Sequence, residues 1–318
     1  MRKPFAVAST AVLLAAGTLF APAAAAAEVK TVTVGDRPTA LDVNSETGMI
    51  YVANTDSGTV SVVEGASNLV VATIGVGGSP SDVAVNDETK RVYVASPVTG
   101  TITVIDGESN TIAGVIAAGP ATSTVDVDET ANVVIAGSSK GGAVAFVDGV
   151  SNTLQTTVPG KVHTLVSGRV DPGRRFAYFT SEWTGSVEVL DTVSRSFVAV
   201  VRVGPGPAGL DLHEATNTLY VANSGVNHLS VVDCALKNEK AIIGLKSAAS
   251  TVAVHERSGT VYANGGPNGL VKIENGKPEV SGELSLGVNP GDVEVDQRTR
   301  IVYATDPLND KIFAITGF

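Results

Sequence analysis

One short phrase returns seven times at nearly constant spacing, and that recurrence limits the architecture more than any other property of the chain. MIYVANTDSGTVSVVEG (49–65) comes back as RVYVASPVTGTITVIDG (91–107) and as TLYVANSGVNHLSVVDC (218–234). Aligned on the tyrosine of YVAN, the equivalents are Tyr51, Tyr93, Val134, Tyr178, Tyr220, Tyr262 and Tyr303, separated by 42, 41, 44, 42, 42 and 41 residues. A period of that length marks a unit that cannot bury its apolar surface alone and must stack on its neighbours. Pro38, Pro80, Pro207 and Pro290 stand thirteen residues ahead of their anchors, and Pro120 stands fourteen ahead of its own. The fourth and sixth units lack this proline.

Each unit reads as four strands. In the first they are TALDV, MIYVA, TVSVV and VVATI, separated by NSETG, NTDSG and EGASN. Clusters of Asn, Asp, Ser and Gly are what hairpin turns require. The strands are apolar on both faces, so the sheet must be covered on both sides. A ring of four-stranded blades does this, because each sheet packs between two others. The seventh unit stops after KIFAI, its third strand, whereas EVKTVTVG (28–35) matches the fourth-strand sequences LVVATIGVG (69–77) and FVAVVRVG (197–204). The expected fold is therefore all-β: a seven-bladed β-propeller of four-stranded antiparallel blades over residues 28–318. The N-terminal strand pairs with the C-terminal blade, 29–35 beside 311–315, and so removes the largest open edge.

The unit runs Pro, apolar strand, acidic or Asn turn, (I/V/L)YVAN, Gly-bearing turn, (T/L)VSVV(D/E), then a Val/Ile-rich strand ending in Gly. It resembles the YVTN-type β-propeller repeat of prokaryotic surface-layer and secreted proteins. Units one, two and five carry the pattern most fully, and unit seven follows. Units three, four and six depart at the Tyr, the Asn or the Pro. The resemblance implies a seven-bladed propeller outside the cytoplasm. It implies little about activity, because the fold hosts both binders and enzymes.

Residues 1–27 read as a secretory signal: Arg2 and Lys3, an apolar run from Phe5 to about Phe20, then small residues up to Ala27. The run is short of the ~20 residues a membrane span needs, and no later stretch supplies one. No cysteine follows the cleavage region and no Arg-Arg pair precedes it, which favours general export without lipid attachment. The protein is thus expected to be secreted or associated with the cell envelope. The formal charge of −10 becomes −12 once Arg2 and Lys3 are removed. An acidic chain without a Lys/Arg cluster repels phosphate backbones, so nucleic acid is not an expected partner. Cys234, the single cysteine, can make no internal disulfide. The acidic charge and the closed ring point to a monomer.

Signals for catalysis are few. GPGPAG (204–209) matches G-x-G-x-x-G, but it carries prolines and leads into a strand, so a dinucleotide site does not follow. No G-x-S-x-G, P-loop, H-E-x-x-H or C-x-x-C-H motif occurs. His213 and His255 lie seven residues before their anchors, where other units carry Asn44, Asn86, Asp171 and Asp296, and they read as turn residues. His163 falls where the chain passes from the third blade to the fourth. His228 lies beside the turn joining second and third strands of the fifth. Both positions belong to the face on which propellers usually take ligands. Trp183, in TSEWTG, occupies the same face. It is either an exposed contact anchor or a ring folded over its own blade.

The innermost strands carry the most informative set. Eleven residues before the anchors stand Ala40, Asp82, Ser123, Ser167, Gly209, Thr251 and Asp292. Nine before stand Asp42, Ala84, Val125, Arg169, Asp211, Ala253 and Glu294. Alternation sends the intervening apolar residues between blades and turns this series towards the axis. Asp42, Asp82, Asp211, Asp292 and Glu294, with Arg169, would then face a narrow channel. Crowded carboxylates raise one another's pKa unless a cation intervenes, and calcium or magnesium would suit oxygen ligands. Alternatively, each carboxylate bonds a neighbouring blade's backbone or Arg169 and fixes blade to blade. The leading functional expectation is an exported, non-catalytic propeller. It would bind a protein or small molecule through the loop face and axial channel, with Asp42, Asp82, Arg169, Asp211, Asp292, Glu294, His163, Trp183 and His228 as candidate contacts. One alternative is a metal-dependent hydrolase or lyase of lactonase type that uses the axial carboxylates. Another is a structural component of a surface layer.

Overall fold

The computed structural model describes residues 27–161 and 164–318. The leader, apart from Ala27, and His163 lie outside the described residues. Seven four-stranded antiparallel sheets follow one another along the chain. Blade 1 consists of Pro38–Asn44, Met49–Asn54, Thr59–Glu64 and Leu69–Gly75, running from the axis outwards. Blades 2 to 6 repeat the arrangement over 82–117, 122–158, 168–202, 207–244 and 252–285. Blade 7 takes three strands from 293–316 and its outermost strand, Glu28–Thr33, from the other end of the chain. That strand pairs antiparallel with Lys311–Thr316 over six residues, from Glu28 opposite Thr316 to Thr33 opposite Lys311. The ring is closed as the sequence requires.

The two-faced apolar strands have a direct packing consequence. The buried apolar side chains divide into seven clusters, one at each junction between blades. Ala84, Tyr93 and Ile102 of blade 2 meet Val125, Val134 and Ala145 of blade 3. At the seam, Val32, Tyr303 and Ile312 of blade 7 meet Leu41, Ile50 and Val52 of blade 1. The recurrent tyrosine explains another recurrent residue. A Cβ on Gly107 would stand 2.7 Å from the Tyr51 hydroxyl, and one on Gly65 2.8 Å from that of Tyr303. Tyr51 and Tyr303 thus reach into the next blade's outer turn, where glycine leaves room for the hydroxyl. In blade 5 Cys234 takes the glycine's place beside Tyr178, and its burial pushes the thiol up to about 11.

One alignment needs correction. Asp42 pairs with Tyr51, Arg169 with Tyr178, and Asp211 with Tyr220. In blade 3 it is Asp126 that pairs with Ile135. The third anchor is therefore Ile135 rather than Val134, and the spacings become 42 and 43 in place of 41 and 44. Pro120 is not the equivalent of Pro38. Thr122 is, because it pairs with Ser138 as Pro38 pairs with Asn54. Without a tyrosine in VVIAG the two neighbouring aliphatic residues look alike, and a one-residue slip in a strand exchanges its two faces. The slip placed Val125 at the axis. Val125 lies in the apolar layer between blades 2 and 3, and Asp126 faces the channel.

Candidate functional site

The inner strands surround an axial channel with two mouths. The upper mouth opens on the face that carries the turns between second and third strands. Its cavity, ≈ 320 Å³, is lined by Asp82, Asp292, Thr251, Ser81, Ser123 and Ser167 among others. The lower cavity, ≈ 240 Å³, is lined by Asp211, Asp87, Glu129, Glu214 and Glu256. Asp42, Asp126, Arg169 and Glu294 border both and form the waist. The six axial residues expected from the sequence therefore do converge, and Asp126 joins them.

Their hydrogen bonds follow one rule around the ring. Each aspartate accepts with one oxygen from the next residue's N–H, and with the other from a backbone N–H of the following blade. The donors across the junctions are Val85 to Asp42 at 2.7 Å, Val125 to Asp82 at 2.9 Å and Val170 to Asp126 at 2.6 Å. Val254 donates to Asp211 at 2.6 Å and Leu41 to Asp292 at 3.0 Å. Side chains cross the remaining two junctions. Arg169 Nε donates to Asp211 Oδ1 at 2.6 Å, and the Thr251 hydroxyl donates to Asp292 Oδ1 at 2.8 Å. Glu294 accepts from the Val295 N–H and stands 3.6 Å from Arg169 Nη2.

Two effects oppose each other at these carboxylates. Backbone N–H donors favour the anion, whereas burial favours the neutral acid. Burial prevails at the waist and the upper mouth. It pushes Asp42 up to about 8 and Asp82 up to about 7. It raises Asp126 and Asp292 and lifts Glu294 well above the carboxylate range. At Arg169 burial works against the cation, but Asp211, Glu294 and Asp126 outweigh it and hold the guanidinium charged.

The channel's chemistry follows from these bonds. Both oxygens of every axial aspartate are engaged, and neither histidine nor cysteine lines the described channel. Among the described residues no group of three or more His, Cys, Asp or Glu side chains is placed to hold a metal ion.

A second ring was not recognised in the sequence. Six residues before the anchors stand Ser45, Asp87, Glu129, Pro172, Glu214, Glu256 and Gln297, once Ile135 is taken as the third anchor. Here the side chain accepts from the preceding blade's equivalent. The N–H groups of Ser45, Asp87, Glu214 and Glu256 bond Asp87, Glu129, Glu256 and Gln297 respectively, and that of Gln297 bonds Ser45 Oγ. Pro172 interrupts the ring, since it offers neither an N–H nor an acceptor side chain. Burial and the neighbouring Glu129 push Asp87 up to about 7.

Next to this ring, His213 and His255 cap their own turns through Thr216 and Ser258. Their other ring nitrogens meet the Glu256 and Gln297 carbonyls of the following blades. Trp183 and His228 do not reach the channel. Trp183 stands at a turn tip of blade 4 with 81 % of its surface exposed, in company with the equivalent tips Val98 and Leu308. His228 is half-buried at the start of a third strand, its Nε2 against Gly204.

No family model matches the sequence, and no curated protein matches it. Solved structures match the fold. Hydrazine synthase of Kuenenia stuttgartiensis aligns over 88% of this chain and 96% of its own, with TM-score 0.77 and 12% identity. U3-55K aligns over 90% and 98%, with TM-score 0.80 and 12% identity. The WD40 repeats of RRP9 align over 90% and 96%, with TM-score 0.80 and 13% identity. These likenesses establish a seven-bladed β-propeller.

Proposed function

We propose that the chain is an exported, non-catalytic scaffold that takes a macromolecular partner or a small ligand on its upper face and at the axial mouth. The supporting observation is a contrast within the molecule. Chemically capable groups along the axis are engaged in joining the blades, whereas the upper face presents Trp183, Val98 and Leu308 at turn tips with none of the described residues folded over them. Exposed aromatic and aliphatic tips on a rigid frame are contact anchors rather than catalysts. The fold neighbours include both a WD40-repeat protein and an enzyme, so fold alone does not decide between binding and catalysis.

Export rests on reading residues 1–27 as a secretory signal. The closing strand begins at Glu28, directly after the expected cleavage point, so processing there would leave the ring intact. Among the described residues no helix is long and apolar enough to cross a membrane. The test of binding is site-specific photocrosslinking in the producing cells, with the probe at position 183, at 98 or, on the lower face, at 150. A discrete adduct from 183 and 98 alone supports the reading. Equal labelling from 150 refutes it, as does turnover of a lactone or ester panel by the purified chain. Calorimetric titration of calcium and magnesium into wild type and Asp82→Asn/Asp292→Asn tests the channel. Heat in wild type that is lost in the double variant would reveal a cation site there.

A further inference from the structure

We infer that a second copy of this chain docks on one arc of the propeller's rim, edge against edge, along the outer strands of blades 1 to 3. This inference is independent of the ligand reading above. The observation behind it is the uneven distribution of charge around the rim. The outer strands of blades 1, 2 and 3 are Leu69–Gly75, Thr111–Ala117 and Thr153–Val158, and none contains a charged residue. Every other outer strand has at least one: Arg202 in blade 4, Glu239 and Lys240 in blade 5, Glu283 in blade 6, and Glu28 and Lys30 in blade 7. Edge strands leave a row of N–H and C=O groups without partners, and charged side chains are the common protection against pairing. Three consecutive blades lack that protection.

The same arc exposes aliphatic surface. Leu69 and Val71 in blade 1, Ile112 and Val115 in blade 2, and Leu154 in blade 3 are all exposed, Leu69 and Val115 by more than half. Of the nearest carboxylates, Glu108 is exposed and paired with Lys90 at 2.7 Å, and the others are held on their own turns. Glu64 is held by the Ser67 hydroxyl, Asp106 by the N–H groups of Glu108 and Ser109, and Asp148 by those of Val150 and Ser151. Charge marks both ends of the arc. Arg195 bonds Gln155 on one side, and Glu28 pairs with Lys30 on the other.

Charge also selects the occupant. The chain is acidic, with a formal charge of −10, so two copies repel wherever carboxylates face each other. The uncharged arc is the part of the rim where they meet with the least repulsion. It is also self-complementary. Across a two-fold axis at Thr111–Ala117, the edge of blade 2 pairs antiparallel with its own copy, apolar against apolar, which is the requirement for an isologous dimer. The composition read as a whole points to a monomer, and its distribution points the other way. Such a dimer leaves both upper faces free and presents two of them at once.

Sedimentation velocity of the mature chain from about 1 to 200 µM tests the inference. The expected result is a reversible dimer that tightens from low to high salt, because screening removes repulsion without weakening an uncharged contact. Val115→Lys and Val71→Lys should each weaken it at least ~10-fold with the melting transition unchanged, whereas Val200→Lys on blade 4 should leave it intact. A chain that stays monomeric throughout overturns the inference, even if the arc captures some other protein. So does a dimer that survives both lysines, one that Val200→Lys dissolves equally, or one that high salt dissociates.

Discussion

Replacing Asp126 by alanine is the most direct test of how the blades are held together. The side chain accepts from Val127 N–H at 2.8 Å within its own blade and from Val170 N–H at 2.6 Å in the next. Val127 and Val170 are both buried. Truncation leaves two backbone donors facing the channel without their acceptor, and each unmet buried donor costs about 1–3 kcal/mol. Water entering through the channel mouths recovers part of this, so the net loss should be about 2–4 kcal/mol. For a domain of this size that is a melting shift of roughly 3–7 °C. Asp126→Asn keeps one acceptor oxygen and turns an amide donor towards the other N–H, so it should lose about half as much. Denaturant titration followed by circular dichroism measures both, with exposed Asp56→Ala as reference. If Asp126→Ala falls within about 0.5 kcal/mol of the reference, as surface changes do, the aspartates do not join the blades. Val125 supplies a second reading: Val125→Asp should be strongly destabilising, because it puts a charge between blades 2 and 3.

Three further outcomes follow from the same geometry. Deleting 28–33 removes the six-residue ladder to 311–316 and the buried Val32, so the cooperative melting transition should be lost, and unchanged melting would show that the seam is not structural. Asp42 near 8 and Asp82 and Asp87 near 7 hold protons in the folded chain that the unfolded chain releases near 4; the unfolded state binds fewer protons in between, so these groups lower the melting temperature as pH rises from about 4 to about 8 and add nothing further above it, and a rise across that window would contradict these assignments. Trp183 should emit like free tryptophan in water and be quenched freely by acrylamide, whereas blue-shifted, protected emission would place its ring against the blade.

The sequence alone determined the number of blades, the strand count in each and the joining of the two chain ends. Repeat length, two-faced apolar strands and a missing fourth strand are local records of burial, and burial leaves a pattern in one dimension. It also brought Asp42, Asp82, Arg169, Asp211, Asp292 and Glu294 to the axis, because strand alternation is a local rule as well. It did not recover Asp126, since blade 3 has no tyrosine to set the register and valine and isoleucine are interchangeable in a buried strand. Nor did it recover the lower ring from Ser45 to Gln297, whose seven members are of five residue types. What unites most of them is a bond to a backbone N–H of the preceding blade, and composition does not record a partner. Only the tertiary structure decided that the axial carboxylates are already satisfied across the junctions and that Trp183 stands free. It also gathered the uncharged outer strands, forty-odd residues apart in the chain, into one arc. Those outcomes depend on which groups meet when the ring closes, and a chain read residue by residue carries no distances between its repeats.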